Sequence, residues 1–446
     1  QNSKFLLITV DNGIVACKGV DYARKKGIDV IITDHHQKKI KDKKAKSKDK
    51  YDLPKAHSII VSDKVCGAGV AWFLAKEIYQ HFHKTLKGFK ASNSLELACI
   101  ATITDLMPVL GINRSLIKYG LIELRKSKRP GIKALCAKVG ISQSQIRTYE
   151  IGYIIGPRLN AMGRLGDALE SLRLLCTNKT LKADILAAKL GMTNLQRQQL
   201  TQTTFEHAKK NSLAPSKAEQ TIIIVSHSSY NQGVIGLVAG KLVEEFCRPA
   251  VVIAEGKNYS KGSVRSIKGF NVIKALRQFN DIFEDLGGHP MAAGFTIKTA
   301  KIKELKSKLE LLVKKEIKKG FLEPIIKVDL EIDLKNVNWQ LEKAIEKFSP
   351  FGIANPKPTF VARKIKIINA RAVGKKQKHL KLTIQSFDNQ SLSIINFNAI
   401  AFNFGYLASK LFPGKLIDIC FTIERNIWHG NENLELTIKD IKLVKN

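Results

Sequence analysis

Apolar positions near the N-terminus fall into short runs separated by a helical pattern. Residues 5–10 and 30–33 are apolar runs of strand length, and the residues between them repeat with helical spacing. Strand, helix and strand in this order predict a parallel α/β unit, to which residues 58–61 add a further strand. Residues 67–175 then show a mostly helical pattern interrupted at prolines. We therefore expect a first domain over residues 1–180.

The remaining chain changes its pattern three times. Residues 181–215 are rich in Gln and Leu with no proline before Lys210, which predicts a long connecting helix. Residues 216–322 return to strand and helix alternation, typical of a second, small α/β domain. Residues 323–446 alternate with the period of strands, and five or so strands with one helix fit an OB-like β-barrel. A β-sandwich fits that last segment nearly as well.

The net charge of the chain indicates which class of molecule it binds. The 446 residues carry 74 Lys and Arg against 39 Asp and Glu, a formal net charge of +35. Nucleic acid is the default partner of so basic a chain. A general lysine bias of the surface is the alternative explanation. No apolar stretch approaches the ~20 residues that cross a bilayer, so we expect no membrane insertion.

Cysteine usage bears on location and on zinc. The seven cysteines are odd in number, widely spread and never arranged as Cys-x-x-Cys. We interpret them as buried thiols of a protein in the reducing cytoplasm. The missing cysteine pair argues against a structural zinc site.

Acidic and imidazole side chains follow the first two predicted strands. Asp11 ends one apolar run, and Asp34, His35 and His36 end the next. Ligands of open parallel sheets collect at the carboxyl ends of the strands, and carboxylates with imidazole suit Mn²⁺ or Mg²⁺. Such ions can activate water for phosphoester hydrolysis. The alternatives are that Asp11 is a turn residue or helix cap and that one histidine is simply buried.

Asp105 stands at the end of an apolar, uncharged helical segment. A carboxylate emerging from such surroundings needs a cation or a capping role. Both readings of Asp105 stay open on the sequence.

Several motifs together resemble one family. Val10-Asp11-Asn12-Gly13, Thr33-Asp34-His35-His36 and Thr104-Asp105 are similar, in order and spacing, to motifs two, three and four of the DHH phosphoesterases. Later segments resemble the RecJ-type exonucleases of that family, including the glycine-rich signature of the DHH-associated domain and the start of the OB domain. These segments are 156–165 (GPRLNAMGRL), 261–266 (KGSVRS), 287–294 (GGHPMAAG) and 350–356 (PFGIANP).

The resemblance implies an activity and residue roles. It implies a metal-dependent 5′→3′ exonuclease that hydrolyses single-stranded DNA to 5′-mononucleotides in DNA repair and recombination, using one or two Mn²⁺ or Mg²⁺ ions. By it, the metal ligands are Asp11, His35 and Asp105. The implied catalytic residues are Asp34, which supports the cluster, and His36, which lies either beside the scissile phosphate or just behind the metal ligands. The implied phosphate-binding residues are Arg158, Asn160, Arg164, Ser263, Arg265, Ser266, Gly288 and His289.

The residue types agree with these roles, and alternatives exist. The guanidinium fork matches phosphate oxygens, and glycines beside His289 allow close backbone approach. The plain alternative for Gly287-Gly288 is a tight turn. Single-stranded DNA is the expected partner, with a helicase and a single-strand-binding protein as further candidates, and we expect a monomer. Two rivals are a DHH phosphoesterase acting on short oligonucleotides or cyclic dinucleotides, and a non-catalytic single-strand-binding protein.

The family's first motif, an aspartate-rich strand end, is expected before Gln1. No Asp-x-Asp occurs before Asp11. A complete two-metal site cannot be built from these residues alone, so we expect this polypeptide by itself to be inactive.

Overall fold

The computed structural model describes residues 5–36, 39–40, 51–82, 94–212, 221–317, 325–388, 393–428 and 431–444. The chain separates into two compact units. The first comprises Gln1–Lys126, Ser144–Gly152 and Ile326–Asn446, and the second comprises Ser127–Gln143 and Tyr153–Ile325.

Strands and helices alternate in the N-terminal part of the chain, whereas the C-terminal part consists mostly of strands. The described strands are β1 (Leu6–Val10), β2 (Asp29–Asp34), β3 (Lys39–Ile40), β4 (Tyr51–Asp52), β5 (Ser58–Val61), β6 (Ile223–His227), β7 (Ala250–Ala254), β8 (Tyr259–Arg265), β9 (Phe283–His289), β10 (Ala292–Lys298), β11 (Leu330–Glu331), β12 (Phe360–Val373), β13 (His379–Asp388), β14 (Ser393–Ala401), β15 (Leu416–Trp428) and β16 (Asn431–Leu443). The described α-helices are α1 (Cys17–Lys25), α2 (Gly67–Phe82), α3 (Leu95–Thr104), α4 (Gly111–Lys126), α5 (Pro130–Val139), α6 (Gly156–Leu165), α7 (Leu169–Cys176), α8 (Thr180–Ser212), α9 (Ile235–Phe246), α10 (Val272–Arg277), α11 (Ile302–Glu316) and α12 (Trp339–Glu346).

A parallel sheet of order β1-β2-β5 begins the first unit, which confirms the parallel α/β prediction. Its centre, β2, is buried because Val30 and Ile32 pack beneath Val20 and Ala23 of α1. Strand β1 lies at the edge with its apolar residues largely exposed. Parallel strands end at one edge of the sheet, so β1 and β2 deliver Asp11 and Asp34 side by side.

A closed barrel completes the first unit. The strand order is β12-β13-β14-β16-β15, and β12 closes the ring by pairing with both β13 and β15. This double pairing is possible because β12 has 14 residues and bends at an irregularity between Ala362 and Ile365. The OB-like barrel is confirmed, and the sandwich alternative is wrong.

The second unit is built on one long helix. Helix α8 has 33 residues and therefore extends about 50 Å. Helices α5, α6 and α7 pack against it. The predicted connecting helix is confirmed over Thr180–Ser212, while residues 213–215 of the prediction lie outside the described residues.

The second sheet is mixed, with the order β6-β7-β8-β10-β9. Strands β6 and β7 are parallel, whereas β7, β8, β10 and β9 pair antiparallel in that order. Apolar clusters cover both faces, with α9 on one side and α10 and α11 on the other. Gly287 and Gly288 lie inside β9, so the alternative of a tight turn there is wrong.

Thiol burial matches the prediction in part. Four cysteines are buried, Cys17 and Cys247 are partly exposed, and Cys176 is exposed. Burial raises the pKa of the Cys136 thiol to about 11. Within the described residues, no helix combines the length and the apolar character needed to cross a membrane.

Gly262 of β8 is needed for packing in the second sheet. It lies opposite Phe295 of β10, and a Cβ at Gly262 would overlap the phenyl ring, which is buried. Gly262→Ala is expected to lower the free energy of unfolding by about 1–3 kcal/mol because the enclosed ring cannot move aside. Urea unfolding followed by circular dichroism measures this.

Gly294→Ala on the paired strand is the matched control. A Cβ at Gly294 would meet only the Gly262 carbonyl, at 3.9 Å. Equal stability of the two variants would contradict the packing role of Gly262.

Candidate functional site

Asp11 is placed at the end of β1 by backbone pairing. Its N–H donates to the carbonyl oxygen of Thr33 at 2.9 Å, so the parallel ladder continues one residue beyond the strand. The residue adopts φ 60°, a left-handed conformation that aspartate tolerates better than most side chains. This turn directs the Asp11 carboxylate toward the edge of the sheet at which His35 follows β2.

The imidazole of His35 lies between two carboxylates. Its Nε2 is 3.1 Å from Asp11 Oδ1 and 3.6 Å from Asp105 Oδ2. One ligand atom each from Asp11, His35 and His36 lie within 4.8 Å of one another. The structure thus places His35 beside both predicted carboxylate ligands, and it places His36 close to His35 and Asp11. Such a mixed N and O donor set suits Mn²⁺.

Asp34 is the buried support of this group. Its side chain is 1% exposed and accepts hydrogen bonds from the backbone N–H groups of Ile14, His35 and His36, at 3.0, 2.7 and 3.2 Å. Burial by itself raises the pKa of Asp34, but these bonds and the one from His36 together lower that pKa below its ordinary value. Asp34 therefore holds a negative charge beneath the histidines.

That charge also sets the tautomer of His36. The Nδ1 atom lies 2.7 Å from Asp34 Oδ1, and an ionised carboxylate can only accept, so Nδ1 carries the proton. With the proton on Nδ1, Nε2 is the ring atom that can bind a metal, because a metal ligand needs a free lone pair.

Asp105 occupies the C-cap position of α3 through its backbone, and its carboxylate lies near His35. The N–H of Leu106 donates to Ile103 and that of Met107 to Thr102, which closes the helix in a Schellman motif. Leu106 takes the left-handed position with φ 57°. The turn directs the Asp105 carboxylate to His35.

Sequence reasoning missed Gly67, the first residue of α2. A Cβ at this position would overlap the Asp11 carboxylate. Glycine is required here because the helix start packs directly on the candidate ligand. Only the tertiary contact reveals this role, since no local pattern marks Gly67.

Four arginines form a second group, in the second unit, which we call the arginine cluster: Arg158, Arg164, Arg197 and Arg265. Loss of water lowers the pKa of each, and repulsion from neighbouring arginines lowers those of Arg197 and Arg265 further. Within the described part of the chain, their hydrogen-bond partners are uncharged oxygens. Positive charges gathered in this way favour the approach of an anion.

Arg197 was not predicted. It lies on α8, where its Nε donates to Oδ1 of the buried Asn194 at 3.2 Å. The long helix therefore contributes to the cluster as well as connecting domains. The only sequence signal was an arginine three residues after a buried asparagine, which does not distinguish it from a surface charge.

The start of α9 also meets this cluster. Arg164 Nη1 donates to the Gly233 carbonyl at 3.2 Å, and a Cβ at Gly236 would lie 3.1 Å from Arg265 Nη2. Helix N-termini favour anions. These glycines let the helix start approach two arginines closely.

Sheet register aligns two more predicted residues, Ser263 and His289, with Arg265. Ala292 of β10 pairs with Arg265 on one side and His289 on the other, so Arg265 and His289 share a row two strands apart. Ser263 lies on the same face as Arg265, and its Oγ accepts from Arg265 Nη1 at 3.2 Å. Asn160 is exposed one helical turn before Arg164.

Two predicted residues have other evident roles. The Ser266 hydroxyl is buried and donates to the Phe270 carbonyl at 2.7 Å, so its role in phosphate binding is a prediction that this geometry does not favour. Gly288 has φ 150°, and a Cβ there would lie 2.6 Å from Ala293 Cα. Close strand packing explains that glycine.

Comparison with protein families agrees with this architecture. The DHH family N-terminal domain matches residues 2–102, the DHHA1 domain residues 219–315 and the RecJ OB domain residues 328–440. The parallel sheet, the mixed sheet and the barrel of this chain thus match, in order, a DHH domain, a DHHA1 domain and a RecJ OB domain.

Individual relatives extend over nearly the whole chain. The single-stranded-DNA-specific exonuclease RecJ of Bacillus subtilis is 33% identical over 98% of this chain and 53% of its own length. Crystal structures of RecJ from Thermus thermophilus in complex with Mn²⁺ and with Mg²⁺ superpose with TM-scores of 0.80 and 0.75. Each is 26% identical and covers 99% of this chain and 62% of the solved chain. The chain spans about half the length of the Bacillus subtilis relative.

Gly67→Ala tests the metal centre without removing a ligand. The added methyl group displaces the Asp11 carboxylate, so Mn²⁺ affinity is expected to fall about tenfold, as for other residues that orient ligands. Titration of free Mn²⁺ by electron paramagnetic resonance measures the affinity. Gly19→Ala in α1 is the control, because a Cβ there meets nothing within 4 Å. Unchanged affinity in Gly67→Ala would show that Asp11 is not a ligand.

Proposed function

We propose that this protein is a metal-dependent exonuclease that degrades single-stranded DNA in the 5′→3′ direction to 5′-mononucleotides, in DNA repair and recombination. The observation that carries the proposal is the group of Asp11, His35 and His36, whose ligand atoms lie within 4.8 Å at the carboxyl edge of a DHH-family sheet. The RecJ relatives and the Mn²⁺ and Mg²⁺ complexes of the Thermus thermophilus protein support it.

Asp11, His35 and Asp105 are the proposed ligands of one or two Mn²⁺ or Mg²⁺ ions, with His36 within reach of the same position. The ion supplies a water of lowered pKa and neutralises charge on the phosphate. A pair of ions needs more ligands than these four side chains offer. Asp34 keeps His35 and His36 oriented through its buried hydrogen bonds.

The arginine cluster is the proposed phosphate-binding surface. Its guanidinium groups and the α9 N-terminus suit phosphate oxygens. Ser263 contacts Arg265, His289 lies in the same row of the sheet two strands away, and Asn160 lies one helical turn before Arg164. The OB barrel and the +35 charge favour a longer single strand over a dinucleotide. A helicase and a single-strand-binding protein are candidate partners, and the cytoplasm is the proposed location.

His35→Ala is expected to abolish Mn²⁺-dependent degradation of a 5′-labelled single-stranded oligonucleotide. The assay compares the substituted chain with the unsubstituted chain. Because His35 lies between two carboxylates, its loss removes the central ligand. His57→Ala is the control, since His57 is an exposed histidine of the same unit, 3.8 Å from Asp29.

Two outcomes favour the rival functions. Preference for dinucleotides in a length series would favour a phosphoesterase of short oligonucleotides or cyclic dinucleotides. Tight binding without cleavage by every form of the protein would favour a non-catalytic single-strand-binding protein.

Arg197→Gln tests the arginine cluster. We expect weaker binding of a single-stranded oligonucleotide and a salt dependence whose slope falls by about 0.7 for each phosphate that is no longer neutralised. Binding is measured by fluorescence anisotropy over a range of salt concentrations. Lys182→Gln, which makes the same charge change about four turns earlier on α8, is the control. Equal effects of the two substitutions would mean that Arg197 acts only through net charge.

A further inference from the structure

The loop that follows Asp105 is held at both ends. At its start, Leu106 occupies the left-handed position of the α3 terminus with φ 57°, a conformation that persists in a leucine where the surroundings fix it. At its end, the N–H of Val109 donates to the carbonyl oxygen of Ile353 at 2.7 Å. Ile353 belongs to the segment that leads into the barrel, and we call this segment the 348–355 loop.

The 348–355 loop is stiffened by its own hydrogen bonds. Asn355 Nδ2 donates to the carbonyl oxygens of Phe348 and Pro350 at 3.0 and 2.8 Å. Gly352 and Asn355 exchange backbone hydrogen bonds of 2.9 and 3.1 Å. Phe351 packs against the barrel core. The carbonyl that Val109 meets is therefore fixed relative to the barrel.

The first turn of α4 holds this loop a second time. Arg114 donates from Nη1 to Phe348 O at 2.6 Å and from Nη2 to Ser349 O at 2.9 Å. The preceding residue, Asn113, is buried and donates from Nδ2 to Lys64 O at 2.8 Å. Lys64 lies three residues before Gly67, which packs on Asp11. One helical turn therefore connects the 348–355 loop to the segment beside Asp11.

The interface between the two loops leaves no spare room. A Cβ at Gly352 would lie 2.7 Å from Cγ2 of Val109, a residue that is 3% exposed. Interiors this close-packed transmit small displacements. A shift of the 348–355 loop thus moves Val109, four residues from the candidate ligand Asp105.

We propose that the 348–355 loop positions the metal site. It fixes the loop after Asp105 directly, and through Arg114 it fixes the spacing between Asp105 and Asp11. None of its residues is a candidate ligand. The barrel therefore contributes to metal affinity in addition to any contact with nucleic acid. The inference rests on the metal site of the proposed function.

The test is a Mn²⁺ titration of the full chain, followed by the electron paramagnetic resonance signal of free Mn²⁺. We expect Gly352→Ala and Arg114→Gln each to weaken Mn²⁺ binding about tenfold, the lower range for residues that orient ligands. Arg114→Lys, which can reach one carbonyl oxygen where arginine reaches two, is expected to give an intermediate affinity.

Rescue separates positioning from general damage. Val109→Ala removes Cγ2, so it is expected to restore Mn²⁺ affinity in the Gly352→Ala background. Arg363→Gln is the control for Arg114→Gln, because Arg363 forms surface ion pairs with Glu331 and Asp418 within the same barrel. This control is expected to bind Mn²⁺ like the unmodified chain.

The outcomes distinguish the inference from the proposed function. If His35→Ala abolishes Mn²⁺ binding while Arg114→Gln and Gly352→Ala bind normally, the positioning role is overturned and the metal site stands. If His35→Ala binds Mn²⁺ normally, the metal site itself fails and the inference fails with it. Should Gly352→Ala not fold, the two Arg114 variants decide.

Discussion

The buried carboxylate of Asp34 is the constraint on which the candidate metal site depends. It accepts backbone hydrogen bonds from Ile14, after β1, and from His35 and His36, after β2. A buried charge is tolerated only when it is fully hydrogen-bonded, so both loops must keep this geometry. The same carboxylate fixes the proton of His36 on Nδ1. The Asp34 carboxylate therefore constrains the backbone after β1 and after β2, and it also sets the tautomer of His36.

The ends of helices α2, α3 and α4 position the other candidate ligands. The start of α2 packs on Asp11 through Gly67, and the end of α3 presents Asp105. The first turn of α4 connects both segments to the 348–355 loop through Asn113 and Arg114. Backbone geometry at helix ends thus places the candidate carboxylate ligands. In the second unit, glycines at the start of α9 likewise allow this helix to approach two arginines closely.

The sequence predicted which residues follow the strand ends, but it did not predict how the surrounding residues pack. Asp11, Asp34, His35 and Asp105 were placed together because parallel strands end at one edge and because the family motifs occur in order. Gly67, Arg197 and Gly236 were missed, since their importance lies in contacts with residues far away in the chain. The strands β8, β9 and β10 were missed because glycine and charged residues interrupt their alternation.

The sequence by itself determined the order of the folded segments, the long helix and the basic charge, and it predicted which residues bear chemistry. Hydrophobic periodicity and residue type are local properties, so they can be read along the chain. Only the tertiary structure decided between a barrel and a sandwich for the C-terminal strands, because closure depends on β12 pairing with β15, fifty or more residues away. It also decided that Ser266 is turned inward and that the 348–355 loop meets Val109. Such contacts join distant segments, and no local pattern encodes them.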